Sequence, residues 1–322
     1  MNRRLFLAAA AAMATGKSFA QQNRASWPVR PVRFIVPYAA GGPTDVAARI
    51  LAEALSQHLS QHVVIENITG TGTTVGTARV VGAKDGHTFL IATVAHAVNA
   101  VLYSNLTFDP VKDFRGVALM GTVPQIVLVR KDFAGTSLAE LLAAARAKPA
   151  GLTYGSAGIG STLHLGAEFL KRAANIDIVH VPYKGAAQAT TDLIGGQVQV
   201  MIGPVVAVLP LVQAGKLRAL GVASLKHSAL APDVPTIAES GVPGFEITSW
   251  YGLAAPTGTP NAVIARLNAE TGKAMQSPDV VAQFRLQGYE PLLSTPDEMS
   301  ARIKTEIAIW TRVIRDAGIQ PQ

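Results

Sequence analysis

The stretch VRFIVPYAAGGPTDVAAR, residues 32–49, joins a short β-branched run to a segment with helical periodicity. VRFIV (Val32–Val36) predicts a buried strand, and the residues Asp45–Leu59 predict an amphipathic helix. The turn between them contains two glycines and no Lys, Arg, His, Cys or Ser. A strand that leads through a tight turn into a helix is the repeating unit of an α/β fold. The functional groups of this turn are therefore backbone amides and the side chains of Thr44 and Asp45.

The same alternation continues along the 322 residues, which are enough for two domains with cores of their own. Strands are predicted at Val32–Val36, Val63–Glu66, Thr88–Thr93, Gln125–Arg130, Leu152–Gly155, Ile178–Val181, Val198–Ile202, Leu217–Ala223 and Phe245–Ala254. Helices are predicted at Asp45–Leu59, Thr73–Val81, Leu138–Ala147, Ser161–Ala173, Ala186–Leu193, Val205–Ala214, Asn261–Met275 and Thr295–Asp316. This order indicates mainly parallel sheets that are covered by helices on both faces.

The first twenty residues, MNRRLFLAAAAAMATGKSFA, have a different character. A basic start, an apolar region at Leu5–Ala14 and small residues before Ala20 are typical of a secretory signal peptide cut after Ala20. The pair Arg3-Arg4 also resembles a twin-arginine signal. Export by either the Sec or the twin-arginine route is therefore expected, with residues 1–20 removed.

Composition excludes several classes of function. Loss of the three cations in the signal peptide would lower the formal net charge from +7 to +4, and the chain has no basic run with interleaved aromatic residues. We therefore expect no nucleic-acid partner. The absence of cysteine excludes disulfides, thiolate metal sites and a cysteine nucleophile. His58 and His62 have metal-ligand spacing but no evident third ligand, so we expect no metal and no cofactor.

The glycine-containing turn suits an anion. A helix N-terminus presents unpaired N–H groups and about half a positive charge, and glycine lets a ligand approach the backbone. Thr44 or Asp45 is placed to cap the helix. If Asp45 caps, it orders the turn and does not touch a ligand. A plain Gly-Pro helix start without a ligand is the alternative, which the composition of the turn leaves open.

A second turn, YGSAGIGSTLH (Tyr154–His164), also follows a predicted strand. Ser161 occupies the position that a P-loop requires for lysine, so nucleotide hydrolysis is excluded. The stretch is not a G-x-S-x-G nucleophile elbow either. Ser161 or Thr162 can cap the following helix. A hydrolase that uses His96 or His164 remains a hypothesis, but neither histidine has a local Ser or Asp that would define a triad.

Six motifs in order carry a family resemblance: PYAAGGPTD, ENITGTGTTVG, HAVNAVLY, YGSAGIGSTLHLGAE, VPYKGAAQATTDLIGGQVQVMI and PTIAESGVPGFEITSWYGLAAP. From about Trp27 to near the C-terminus the chain resembles the periplasmic solute-binding proteins of the tripartite tricarboxylate transporter family, also called Bug proteins. The resemblance implies a two-lobed, type II-like Venus-flytrap fold. Each lobe is then a mainly parallel sheet flanked by helices, with domain 1 at residues 27–124 and 251–322 and domain 2 at residues 125–250. The chain would cross between them near Thr122–Val127 and Ile247–Gly252.

The resemblance also implies the ligand site. A carboxylate is expected between the two turns, held by backbone amides and small hydroxyls. The implied ligand-binding residues are Tyr38, Ala39, Ala40, Gly41, Gly42, Thr44, Asp45, Thr69, Thr93, His96, Ser156, Ala157, Gly158, Ser161, Lys184 and Ser224. Family members usually show ENRPGAGG where this chain has ENITGTGT, so Ile68 and Thr69 replace Arg-Pro.

The function that the resemblance implies is transport. A monomeric periplasmic receptor would capture a small carboxylate and deliver it to the large and small membrane subunits of a permease. Dicarboxylates, tricarboxylates, aromatic acids and amino acids are all candidate ligands. A sensor that presents ligand to a signalling partner is the alternative. No enzymatic activity is expected.

Overall fold

The computed structural model describes residues 27–159 and 161–320, so the predicted signal peptide lies outside the described residues. The strands are β1 (Val32–Val36), β2 (Val63–Asn67), β3 (Thr88–Thr93), β4 (Phe114–Arg130), β5 (Thr153–Ser156), β6 (Val179–Pro182), β7 (Val200–Pro204), β8 (Leu217–Val222), β9 (Thr248–Pro256) and β10 (Glu290–Pro291). The helices are α1 (Pro43–Leu59), α2 (Thr74–Val81), α3 (Val94–Leu102), α4 (Leu138–Ala147), α5 (Thr162–Ala174), α6 (Ala186–Gly195), α7 (Val205–Gln213), α8 (Asn261–Gln276), α9 (Pro278–Leu286) and α10 (Pro296–Asp316).

The strands form a continuous, curled sheet in the order β2-β1-β3-β9-β4-β7-β5-β6. β1 pairs in parallel with β2 and β3 in one half, and β5 pairs in parallel with β6 and β7 in the other. β9 and β4 add antiparallel pairings in the middle. The α/β class and the mainly parallel character of both outer halves are as the sequence predicts.

β4 connects the two halves because it changes partners along its length. Its first part pairs with β9 as far as Pro124 opposite Thr248. From Gln125 onward it pairs with β7, beginning opposite Pro204, and with β8. The sequence predicted only Gln125–Arg130, so its first eleven residues, 114–124, were missed. They carry Gly and Pro, and they are buried on both faces, which removes the alternation that marks a strand.

Two helices were also missed by the sequence. α3 is apolar almost throughout and is buried along most of its length, so its hydrophobic pattern has no polar face to reveal a helix. α9 follows directly on α8, separated by Ser277, with Pro278 at its first position. The remaining helices agree with the predicted bounds to within two residues.

The long C-terminal helix α10 packs against both halves of the sheet. Met299, Ile303 and Trp310 on its buried face belong to one core cluster that includes Leu90 of β3 and Val127 of β4. Its N-terminus is closed by a capping box in which Thr295 and Glu298 exchange hydrogen bonds. The helix therefore packs against both halves of the sheet where β4 passes from one to the other.

Candidate functional site

The first turn joins β1 to α1. Gly41 has φ +79°, and a Cβ placed on it would meet no atom within 4 Å, so the backbone here faces open space. The N-cap residue is Gly42, which has no side-chain cap. The prediction that Thr44 or Asp45 occupies the cap position is therefore wrong. Pro43 starts the helix instead, because its fixed φ and missing N–H suit the first helical position.

Asp45 orders the turn from inside the helix. Its Oδ2 accepts 2.8 Å hydrogen bonds from the Gly41 amide and from Arg49 Nε, and its Oδ1 accepts one of 2.9 Å from Asn67 Nδ2. The side chain is buried. Burial alone would raise the pKa of Asp45, but the hydrogen bonds from Arg49, Gly41 and Asn67 outweigh it and lower the pKa. Because the Gly41 amide already donates to Asp45, the backbone donors that remain for a ligand at this helix start are the amides of Thr44 and of Asp45 itself.

We expect the substitution Asp45→Asn to lower the free energy of unfolding by about 1–3 kcal/mol at neutral pH, because the ion pair with Arg49 and one of the two acceptor oxygens are lost. The folded-state pKa of Asp45 lies below its ordinary value of 3.8, so its contribution is present above that pH and declines as the pH falls through the folded-state pKa. The stabilities of variant and wild type should therefore converge in acid.

Urea unfolding at several pH values measures this difference. Asp233→Asn, at an exposed position, is the matched control and should change stability little at any pH. A pH-independent gap between Asp45→Asn and wild type would contradict the ionic explanation.

The second turn is held by hydroxyl groups. Ser161 is the N-cap of α5, as one of the two predicted alternatives has it: its Oγ accepts from the His164 amide at 3.3 Å and donates to Gly158 O at 2.7 Å. Ser156 Oγ accepts from the Gly158 amide at 3.1 Å and lies 2.6 Å from His180 Nε2. Ser156 is fully buried. The buried hydroxyl of Ser156 therefore stabilises the backbone of the turn.

His180 was not singled out from the sequence, although it lies on a strand that ends beside the turn. Its ring stacks on His164 with centroids 4.1 Å apart and on Tyr154 with centroids 4.8 Å apart. Burial, and then the proximity of His180, lower the pKa of His164 to about 4, so the stack is uncharged at neutral pH. Tyr154 also donates a 2.6 Å hydrogen bond to Glu168 Oε1, which links the stacked rings to α5.

A cavity of about 370 Å³ brings the two turns together. It is lined by Gly41, Pro43, Val46, Val123, Gln125, Thr162, Pro204, Val206, Ala207, Ser249, Tyr251, Gln287 and Tyr289. The N-terminal residues of α1, α5 and α7 all contribute to this wall. Because each helix start carries partial positive charge and unpaired amides, the cavity suits a small anion without any Lys, Arg or His in its wall.

Several residues of this wall were not predicted individually. Gln125 on β4 and Ser249 and Tyr251 on β9 lie within the two segments that the sequence marks as crossings. Tyr289 reaches the site from beyond α9, and its hydroxyl donates a 2.6 Å hydrogen bond to Pro43 O. The crossing segments were a usable signal for the first three, whereas Tyr289 is distant in sequence from every motif.

The other predicted site residues are spread around the cavity. Tyr38 and Thr93 share a 2.7 Å hydrogen bond between hydroxyls, and Thr93 also caps α3. Ala39, Ala40, Thr69 and Lys184 are exposed, and Gly42 and Ala157 are partly buried. Ser224 is buried and donates to Lys226 O at 2.7 Å. Among all the predicted ligand contacts, Gly41 alone lines the cavity shared by the turns.

His96 has a packing role in this structure. It is buried with its ring 4.9 Å from that of Phe114, and its Nε2 lies 3.0 Å from Pro110 O. Burial lowers the pKa of His96 to about 4. The described residues 27–159 and 161–320 contain no cluster of His, Asp or Glu that could hold a metal ion.

The sequence matches the family model described as tripartite tricarboxylate transporter family receptor over residues 47–319. The chain belongs to this receptor family. A similar relative is the protein BugT of Bordetella pertussis, 36% identical over 309 residues that cover 95% of each chain. The tripartite tricarboxylate receptors and the Bug proteins that the six motifs resemble are thus confirmed as its relatives.

Solved structures agree with this family assignment. The R. palustris protein Rpa4515, solved with adipate, has 38% identity and a TM-score of 0.74 over 92% of this chain and 100% of its own. MatC from Rhodopseudomonas palustris, solved with malate, has 34% identity and a TM-score of 0.69 over 89% of this chain and 100% of its own. The predicted two-lobed α/β binding-protein fold is confirmed. No helix in the described part of this receptor is both long and apolar enough to cross a bilayer.

Proposed function

We propose that this receptor binds a small carboxylate in the cavity between two lobes and delivers it to the membrane subunits of a tripartite tricarboxylate-type transporter. The observation that carries the proposal is the convergence of three helix starts on one cavity without a cationic side chain in its wall. Backbone amides at a helix N-terminus form strong, charge-assisted hydrogen bonds with a carboxylate. The adipate and malate complexes of the two R. palustris relatives support the same ligand class.

The lobes follow from the partner change in β4. We place lobe 1 at residues 27–124 and 251–322 and lobe 2 at residues 125–250. The pairing of β4 shifts from β9 to β7 between Pro124 and Gln125, which supports a hinge at that bond. Residues from both lobes line the cavity, so ligand contacts both only in the closed form. Closure is then a population shift that ligand drives.

Binding without catalysis fits the buried Ser156–His180 pair. The two side chains are within hydrogen-bond distance, as in a nucleophile–base pair, but Ser156 is fully buried and its hydroxyl already accepts from the Gly158 amide. Ser156 is also not among the residues that line the cavity, so its hydroxyl does not face the proposed ligand site. We therefore propose a receptor and not a hydrolase, acting as a monomer in the periplasm.

A thermal-shift screen of the mature chain against a library of small carboxylates tests the proposal. We expect at least one acid to raise the unfolding temperature, because ligand at a hundred times its Kd stabilises the folded state by about 2.7 kcal/mol. The uncharged primary amide of the same acid is the matched control and should give no shift. A library without a single stabilising acid would contradict the proposal.

A further inference from the structure

Gln125 lies in the wall of the cavity at the proposed hinge, and the residue is only 1% exposed. Its Nε2 donates to Val123 O and to Ser249 Oγ, both at 3.3 Å. The carbonyl oxygen of Val123 can only accept a hydrogen bond, so the amide nitrogen must face it. This contact fixes the orientation of the side-chain amide. It leaves Oε1 of Gln125 buried, with no donor from any residue that the structure describes.

A buried amide oxygen without a donor is rare in native structures, and such groups call for an explanation at functional sites. Ser249 lies beside it in the same wall. In the hydrogen bond with Gln125 the Ser249 hydroxyl is the acceptor, so its own proton is directed elsewhere. Two residues of the wall that contact each other thus offer an acceptor, Gln125 Oε1, and a hydroxyl donor, Ser249 Oγ, and both groups are uncharged.

We propose that Gln125 and Ser249 recognise a hydroxyl group, and hence that the ligand is a hydroxy acid. This inference rests on the proposed carboxylate-binding function and specifies its ligand class. The hydroxyl of the ligand donates to Gln125 Oε1 and accepts from Ser249 Oγ, which matches both protein groups. The carboxylate of the same ligand accepts hydrogen bonds from the backbone amides at the helix N-termini.

Other polar groups fit this position less well. A second carboxylate would set its oxygens against the Gln125 oxygen, and both are acceptors. An ammonium group would donate to Gln125, but no Asp or Glu lines the cavity among the described residues. The helix starts around it would also repel a positive charge. An uncharged hydroxyl meets neither obstacle.

Calorimetric titration of matched acid pairs tests the proposal: lactate with propionate, malate with succinate, and 4-hydroxybenzoate with benzoate. In the wild type we expect the hydroxy member of the tightest-binding pair to bind at least about tenfold more tightly than its partner. In Gln125→Met, which keeps the length of the side chain and removes the acceptor, this ratio should fall to within about threefold. Gln283→Met, on the exposed side of α9, is the matched control and should keep the wild-type ratio.

The outcomes separate this inference from the proposed function. Acids that bind equally well within every pair would overturn the hydroxyl inference and leave the carboxylate receptor intact. A wild-type chain that binds no acid of the panel or of the larger library would overturn the receptor itself. If Gln125→Met does not fold, Ser249→Ala decides, because it removes the donor to the same hydroxyl. An unchanged ratio in Ser249→Ala would then contradict the inference.

Discussion

Replacing Gly41 with valine should abolish carboxylate binding. Gly41 lines the cavity, and a Cβ built on it would meet no atom within 4 Å, so the space above its Cα is open to the ligand. A β-branched side chain would occupy that space, and the left-handed backbone conformation would add strain of about 1–3 kcal/mol. We therefore expect a moderately destabilised chain with no measurable affinity for the acid that stabilises the wild type, as judged by calorimetry.

The control for this experiment must be a glycine that has a similar positive φ but does not line the cavity. Gly244 has φ +72°, a Cβ there would also meet nothing within 4 Å, and the residue does not line the cavity. Gly244→Val should lose comparable stability and keep wild-type affinity. Equal affinity losses in the two variants would show that strain alone accounts for the effect, which would contradict the role of the first turn in binding.

The substitution Glu290→Ala should weaken binding at least about tenfold, although Glu290 does not line the cavity. Glu290 lies on β10, which pairs with the lobe 1 part of β4 at Thr122. Its Oε1 accepts from Ser228 Oγ at 2.6 Å and from the Ala229 amide at 3.0 Å, and both of these residues belong to the proposed lobe 2. Hydrogen bonds to a carboxylate contribute about 1.5–3 kcal/mol each. Their loss should favour the open form and reduce apparent affinity by the fraction of closed molecules that disappears.

Small-angle scattering of the ligand-free protein measures the opening directly, and calorimetry measures the affinity. We expect a larger radius of gyration for Glu290→Ala than for the wild type. Glu290→Gln keeps an acceptor for both donors and should show a smaller change in each quantity. Unchanged radius and affinity in Glu290→Ala would show that this contact does not control closure.

The role of Asp45 illustrates how far local sequence reasoning reaches. Its place near a helix start predicted a residue that orders the turn if it caps the helix, but the helix begins at Pro43 and Gly42 is the cap. The carboxylate therefore lies within the first helical turn and reaches back to the Gly41 amide and across to Asn67. The contact with Asn67 joins residues 22 positions apart, so it depends on the pairing of β1 with β2.

Ser156 and His96 show the same limit for individual site residues. A hydroxyl in a small-residue turn and a histidine after a strand are plausible ligand contacts from sequence. In the structure Ser156 is turned toward His180, and His96 is turned toward Phe108 and Phe114. Which way a side chain on a turn or helix points depends on the packing of distant elements, and local composition does not encode it.

The sequence by itself determined the α/β class, most of the strands and helices and the two small-residue turns, because these depend on periodicity and turn chemistry within short windows. Only the tertiary structure decided the wall of the cavity. Gln125, Ser249, Tyr251 and Tyr289 meet there because β4 changes partners and β9 and β10 return beside it. These residues are far apart in sequence, and they meet because whole sheets and helices bury their apolar faces against one another. A short stretch of sequence does not contain this information.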